Sequence, residues 1–231
     1  MKNKFLILII VGLIFPLGGI GFSGIANMYN TGSVTDTETD ADDTIVLTSI
    51  SDGLENGLNL FIYFDALPKG LAIEYNWEFF KVQSLNTTLN FNNSGAIEGE
   101  MASYRTSKYL TLKKEVVGLS IPFLAKASIY LGGGINQHNS TVPSISLLKD
   151  ITGAFDFEDL YTGFDFEEID LNKVKEEIDN HSIETKGLHI QAGVQGKLLM
   201  LNAFINARYT FINGDKMESF PGLTVGFAYG I

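Results

Sequence analysis

His138 and Ser140, in the stretch QHNS, are two positions apart, so on an extended chain their side chains point the same way. A hydroxyl nucleophile needs an adjacent base and an orienting acid. The imidazole supplies the base. The long connection that follows, Asn139 to Glu184, offers no single glutamate that stands out as the orienter. A second group is acidic: Asp36, Glu38, Asp40, Asp42 and Asp43 in TDTETDADD. Carboxylates at alternate positions can gather a hard cation such as Ca2+. The calcium-loop pattern also needs a turn glycine and a distal bidentate glutamate, both missing here, so a solvated, mobile acidic loop is the expectation. A third group is Glu74, Glu78, Lys197 and Arg208, four charges set within otherwise alternating apolar and polar stretches.

These side chains must be positioned by strands, because period-2 alternation dominates the chain. At the C-terminus Leu223, Val225, Phe227, Tyr229 and Ile231 fall on one face, and Thr224, Gly226, Ala228 and Gly230 on the other. The same pattern predicts strands over 20–29, 58–66, 71–81, 109–123, 127–137, 186–198 and 202–211, with a register shift near Lys113 to Glu115 read as a bulge or a strand leaving the membrane. Eight strands in four hairpins result. Glu74, Glu78, Lys197 and Arg208 all fall on the polar face, as does His189.

The connections sort by length. Those after the second, fourth and sixth strands are short, and those after the first, third and fifth are long. The third long segment, Asn139 to Glu184, holds twelve acids and three lysines, and His181, for which no special role is expected. Phe155, Phe157, Phe164 and Phe166 alternate with acids there, as an extra hairpin, a partner patch or a lid packed over the barrel mouth would have it. Residues 169–178 have loose helical spacing. At the N-terminus, Lys2 and Lys4 precede an uncharged apolar run from Phe5 to Phe15 and the small residues Gly18 and Gly19. This is the pattern of a secretory leader, too short to span a bilayer, and residues 1–19 are assigned to it. Residues 20–231 form one domain. There is no cysteine, hence no disulfide framework or thiolate metal site. Without the leader's two lysines, fourteen basic residues stand against twenty-seven acidic ones, which argues against nucleic acid as a partner.

The strands LAIEYNWEFF, SIYLGGGIN, GLHIQAGVQGKL, NAFINARYTF and GLTVGFAYGI resemble those of small bacterial outer-membrane barrels of the OmpA, OmpX and OmpW kind. The likeness is one of pattern and covers the whole mature chain, although such proteins often end on an aromatic where this chain has Ile231. It implies an all-β, eight-stranded up-and-down transmembrane barrel with short periplasmic turns and long extracellular loops. A barrel of eight strands is just wide enough for its side chains to fill. Inward charges must then pair, so Glu74 or Glu78 is expected to meet Arg208 and act as a plug. His138 and Ser140 are similar in spacing to the His-x-Ser pair of the outer-membrane lipid A deacylases, which makes catalysis a distant alternative. The main expectation is a monomeric, non-enzymatic structural or surface-interaction protein without cofactor, in contact with outer-membrane lipid and meeting external partners through acidic loops. The alternative is a narrow channel or a conduit for ions or small apolar molecules.

Overall fold

The computed structural model describes residues 18–28, 33–40, 43–50, 53–67, 70–80, 83–91, 95–121, 124–141, 143–152, 176–178, 180–213 and 218–230. Residues 1–17 of the expected leader, Asp42 of the acidic stretch, the four phenylalanines of the third segment, most of the helical spacing at 169–178, Pro68 and Lys69 of the first short turn, and Ile231 lie outside these, whereas Gly18 and Gly19, expected in the leader, are part of the first strand. Described are β1 (Gly18–Asn27), β2 (Ser33–Asp40), β3 (Asp43–Ile50), β4 (Glu55–Leu67), β5 (Leu71–Phe80), β6 (Gln83–Phe91), β7 (Gly95–Ile121), β8 (Ala125–Thr141), α1 (Ile145–Thr152), β9 (Ser182–Leu198), β10 (Leu201–Ile212) and β11 (Phe220–Gly230).

Eight of the strands form a closed antiparallel meander, β1–β4–β5–β7–β8–β9–β10–β11, with β11 pairing back on β1. Closure removes every sheet edge, which an antiparallel sheet in lipid requires, since no water is there to satisfy an open edge. The register climbs as it goes round. From Phe80 it passes through Gly57, Ile25, Thr224, Asn206, Gly193 and Tyr130 to Glu115. Glu115 lies one residue past Lys114, whose partner on β5 is Leu71. The stagger is therefore about ten residues, which for eight strands tilts them by roughly 40°.

The two faces of the wall are inverted relative to a soluble barrel. Ile190 is 57% exposed and Gln191 only 4%. Likewise Leu58, Leu60, Ile62, Leu110, Leu112, Ile205, Val225 and Phe227 face outward, while Asn59, Asn76, Thr111, Asn136, Asn206 and Thr224 are buried. No helix among the described residues is long and apolar enough to cross a membrane; the strands do so. This is an eight-stranded up-and-down transmembrane barrel, and all eight expected strands are present. At the periplasmic end Leu199 takes a left-handed conformation, φ 55°, in the turn between β9 and β10. Its N–H donates to Leu124 O at 3.0 Å, and Gly230 N–H donates to Met200 O at 2.7 Å, tying neighbouring strand ends together.

The external segments depart from expectation. Over its described residues the acidic stretch is not a mobile loop: β2 and β3 pair antiparallel, Thr37 opposite Val46 and Glu38 opposite Ile45. The segment after β5 likewise folds into β6 and the first half of β7. The strand expected to begin at Tyr109 begins at Gly95 and runs 27 residues. Its second half belongs to the barrel, and its first half completes a four-stranded sheet in the order β2–β3–β6–β7. Beneath that sheet Ile45, Leu47, Leu89, Phe91 and Met101 pack against Ile145 and Leu148 of α1. Ser144 caps the helix, its Oγ accepting from Leu147 N–H at 3.1 Å. The bulge read near Lys113 to Glu115 lies at Val116, where the β7–β8 register shifts between Glu115 and Val117.

Candidate functional site

The lumen is filled by ion pairs arranged from the external to the periplasmic end. Uppermost, Arg105 on β7 meets Glu55 on β4, with Nε 3.1 Å from Oε1 and Nη2 on Oε2. The guanidinium is stacked 4.1 Å from the Phe80 ring centre and 4.6 Å from that of Phe220. Below it, Arg208 on β10 reaches Glu78 on β5 at 2.5 Å, with its guanidinium 3.6 Å over the Tyr109 ring. Lower again, Lys113 pairs with Glu74, whose Oε1 also accepts from Asn76 at 3.0 Å. Asn76 Oδ1 in turn accepts from Asn59 at 2.8 Å, and Asn59 donates its other proton to Ser23 at 3.0 Å. At the periplasmic mouth Lys197 pairs with Asp65 and Lys126 with Glu115.

All four residues singled out by the pattern thus point inward, but they do not all meet one another. Arg208 takes Glu78 and not Glu74. Glu74 takes Lys113, which the sequence reading had placed in a shifted register, and Lys197 takes Asp65. The pair Arg105–Glu55 was missed altogether. Its signal was present: Glu55 lies three residues ahead of a strictly alternating run on the same parity as Asn59, and Arg105 stands on the parity of Tyr109. Both strands begin earlier than the alternation predicts, at Glu55 and Gly95.

Buried charges are tolerable only when paired and hydrogen-bonded, and an aromatic face over a guanidinium adds a further favourable contact. Between the charged layers Phe61, Tyr63, Phe204 and Ala228 make an apolar layer, with Phe61 and Phe204 edge to face at 5.2 Å. Small inward residues make room for these rings. A Cβ at Gly21 would collide with the Phe61 ring, and one at Gly226 with Ser23 and Phe204.

His138 and Ser140 face the lumen and are buried. His138 Nδ1 lies 2.7 Å from Ser107 Oγ and 3.4 Å from Arg105 Nη1. Arginine can only donate, so Nδ1 is the acceptor and Nε2–H donates to Asn136 Oδ1 at 3.0 Å. The imidazole is therefore engaged at both nitrogens, and the pair looks away from the bilayer in which an acyl ester would lie. This overturns the geometry that deacylase-like chemistry would need. His189, also inward, contacts Thr111 Oγ1 at 2.9 Å. An apolar hollow does exist, but on the lipid side, between Ile20, Phe22, Leu60, Ile62, Trp77 and Phe227.

Outside the membrane, the third segment is fastened to the first. Ile145 N–H donates to Asp36 Oδ2 at 2.8 Å, and Lys149 Nζ to Glu38 Oε1 at 2.7 Å. Two acids of the presumed mobile loop thus hold α1 against the sheet. The face of the sheet away from α1 is polar, with Thr35, Thr37, Thr39, Asn86, Asn90, Glu98 and Glu100 exposed.

No family model matches the chain, and no curated protein matches it. Among solved structures it is similar to Ail, the attachment invasion locus protein of Yersinia pestis, at 11% identity over 93% of this chain and 97% of that one, TM-score 0.38. The same protein in complex with the heparin analogue sucrose octasulfate gives 11% identity over the same shares and a TM-score of 0.39. Neisserial surface protein A gives 8% identity over 92% of this chain and 97% of that one, TM-score 0.42. The closed eight-stranded architecture of this chain rests on its own strand register.

Proposed function

We propose that this protein is an outer-membrane anchor that presents a folded, acidic module to the cell exterior for contact with other molecules, and that it is monomeric and non-enzymatic. The observation that carries this reading is the division of the molecule. The lumen is occupied by paired, buried charges, whereas the external segments are built into a sheet with its own core. Glu74, Glu78, Lys197 and Arg208, together with Glu55, Arg105, Lys113 and Asp65, act as a permanent plug. The apolar N-terminal stretch ahead of Gly18, where β1 begins, is the leader that delivers the chain for export, so its end lies slightly earlier than the residues 1–19 expected from the sequence. One similar structure carries a heparin analogue; an acidic exterior favours a cationic partner over such a polyanion, because like charges raise the cost of contact.

One observation supports a narrow water path as a second reading. Among the described residues, Glu78 Oε2, Arg208 Nε, His189 Nδ1, Gln191 Nε2 and Asn206 Oδ1 are buried without a protein partner, and buried polar atoms of this kind commonly bind water. Planar-bilayer recordings on refolded protein separate the two. The anchor reading expects no conductance steps from the wild type. Sustained steps from the wild type overturn it in favour of a channel. Fractionation with the outer membrane, and a shift in gel mobility between boiled and unboiled samples, are expected in either case; recovery as a soluble protein without detergent would remove both readings.

A further inference from the structure

We infer that Asp150, Glu177 and His181 form a site for one divalent transition-series cation, Zn2+ being the ion their chemistry suits, and that this ion clasps the two ends of the third external segment. The inference is independent of the anchor reading. A ligand atom of each residue lies within 4.8 Å of those of the other two. Asp150 comes from the last turn of α1, whereas Glu177 comes from a short helical stretch and His181 from the turn between it and β9.

The state of the imidazole carries the argument. His181 Nδ1 lies 3.0 Å from the carbonyl oxygen of Glu177, which can only accept, so the ring proton of a neutral His181 sits on Nδ1. Nε2 then turns a lone pair toward Asp150 Oδ2, 3.1 Å away. At that distance one cation can bridge the imidazole nitrogen and the carboxylate oxygen. A ligating histidine ordinarily donates its other N–H to a carboxylate or backbone carbonyl, as here. Glu177 Oε2 lies 3.9 Å from Nδ1, on the other side of the ring from Asp150, and a turn of its side chain would bring it to the ion as the second carboxylate.

Both halves of the site are held by rigid parts of the molecule, which is what a metal site needs if its ligands are not to be ordered at the ion's expense. α1 is fixed to β2 through Asp36 and Glu38. The opposite turn is fixed to β8, where Thr141 Oγ1 donates to Ile178 O at 3.2 Å. Lys149, next to Asp150, pairs with Glu38. One imidazole nitrogen with two carboxylates suits Zn2+, which takes mixed nitrogen and oxygen donors and leaves a fourth position to water. Ca2+ and Mg2+ prefer oxygen donors alone and larger or more hydrated shells. The two carboxylates neutralise the ion's charge, so no further acid is required.

The test is calorimetric titration of tag-free, detergent-refolded protein with Zn2+ and, separately, Ca2+, for the wild type, His181→Ala, His181→Gln and Asp150→Asn. Barrel integrity in every variant is checked by gel mobility without boiling. The expected result is one equivalent of Zn2+ on the wild type, affinity lowered by about tenfold or more in each variant, and no matching Ca2+ isotherm. Co2+ should give visible absorption bands that vanish in the two His181 variants. Absence of Zn2+ binding to the wild type overturns the proposal. Unchanged binding in folded His181→Gln overturns it as well, by showing that the ion sits on exposed acids elsewhere.

Discussion

Along β7 the inward side carries Met101 in the external sheet and Arg105, Ser107 and Thr111 in the barrel, and the outward side carries Glu98 and Glu100 above and Leu110 and Leu112 below. Within a few residues of one uninterrupted strand, an apolar interior under a polar surface becomes a polar interior under an apolar surface. The backbone does not change; the solvent does. Where water is outside, burying apolar area drives the sheet onto α1. Where lipid is outside, apolar side chains gain nothing by turning inward, and stability comes from closing every backbone hydrogen bond and pairing every lumen charge. The two regions are thus held by different forces, and substitutions of the same kind should act on them differently.

The largest effect is expected in the lumen. Arg208→Ala leaves Glu78 buried without its partner, at a cost of about 3–5 kcal/mol in denaturant unfolding of the detergent-refolded barrel. Adding Glu78→Gln should recover part of that loss, because the stranded charge goes too. Adding Glu74→Gln should recover less, since Glu74 pairs with Lys113 and meets Arg208 only through a longer-range charge interaction. Coupling of Arg208 to Glu74 of the same size as to Glu78 would break the layered arrangement.

A charge placed outside should distinguish the two solvents. Ile190→Arg, on the lipid face, should cost about 2–4 kcal/mol if it lies near the bilayer midplane. Thr88→Arg, on the water face of the external sheet, should change stability by no more than about 0.5 kcal/mol. Equal penalties would mean that the boundary between lipid and water has been drawn in the wrong place along the strands.

The smallest effect sharpens the picture of the external module. Asp36→Ala removes the acceptor for Ile145 N–H at the start of α1, a loss of about 0.5–2 kcal/mol confined to the helix and its sheet. Hydrogen exchange should speed up over 145–152 while the amides of β9, β10 and β11 remain protected. Faster exchange throughout the barrel would show that the two regions unfold together.

The barrel was legible in the sequence because period-2 alternation is local. LAIEYNWEFF assigns its two faces whichever strand lies beside it, and the sorting of connections by length follows from counting. The external sheet was not legible for the converse reason. β2 is an edge strand whose Thr and acid alternation resembles a solvated tract, and only contact with α1 makes Asp36 and Glu38 structural. His138 and Ser140 raised a chemical expectation through their spacing alone, and the inward parity they share with Asn136 is what withdraws it.

The sequence by itself determined which residues face lipid and which face the lumen, since one residue's step along an extended chain reverses the side chain's direction. It could not decide which carboxylate Arg208 meets. Glu74 and Glu78 share a parity and a strand, and the choice depends on a stagger of about ten residues accumulated round eight strands. Nor could it bring Asp150 to His181 or α1 to β2, because those approaches are made by chain segments far apart in sequence. Such contacts exist only once closure of the barrel has placed the external ends of β1, β5 and β8 around a common mouth.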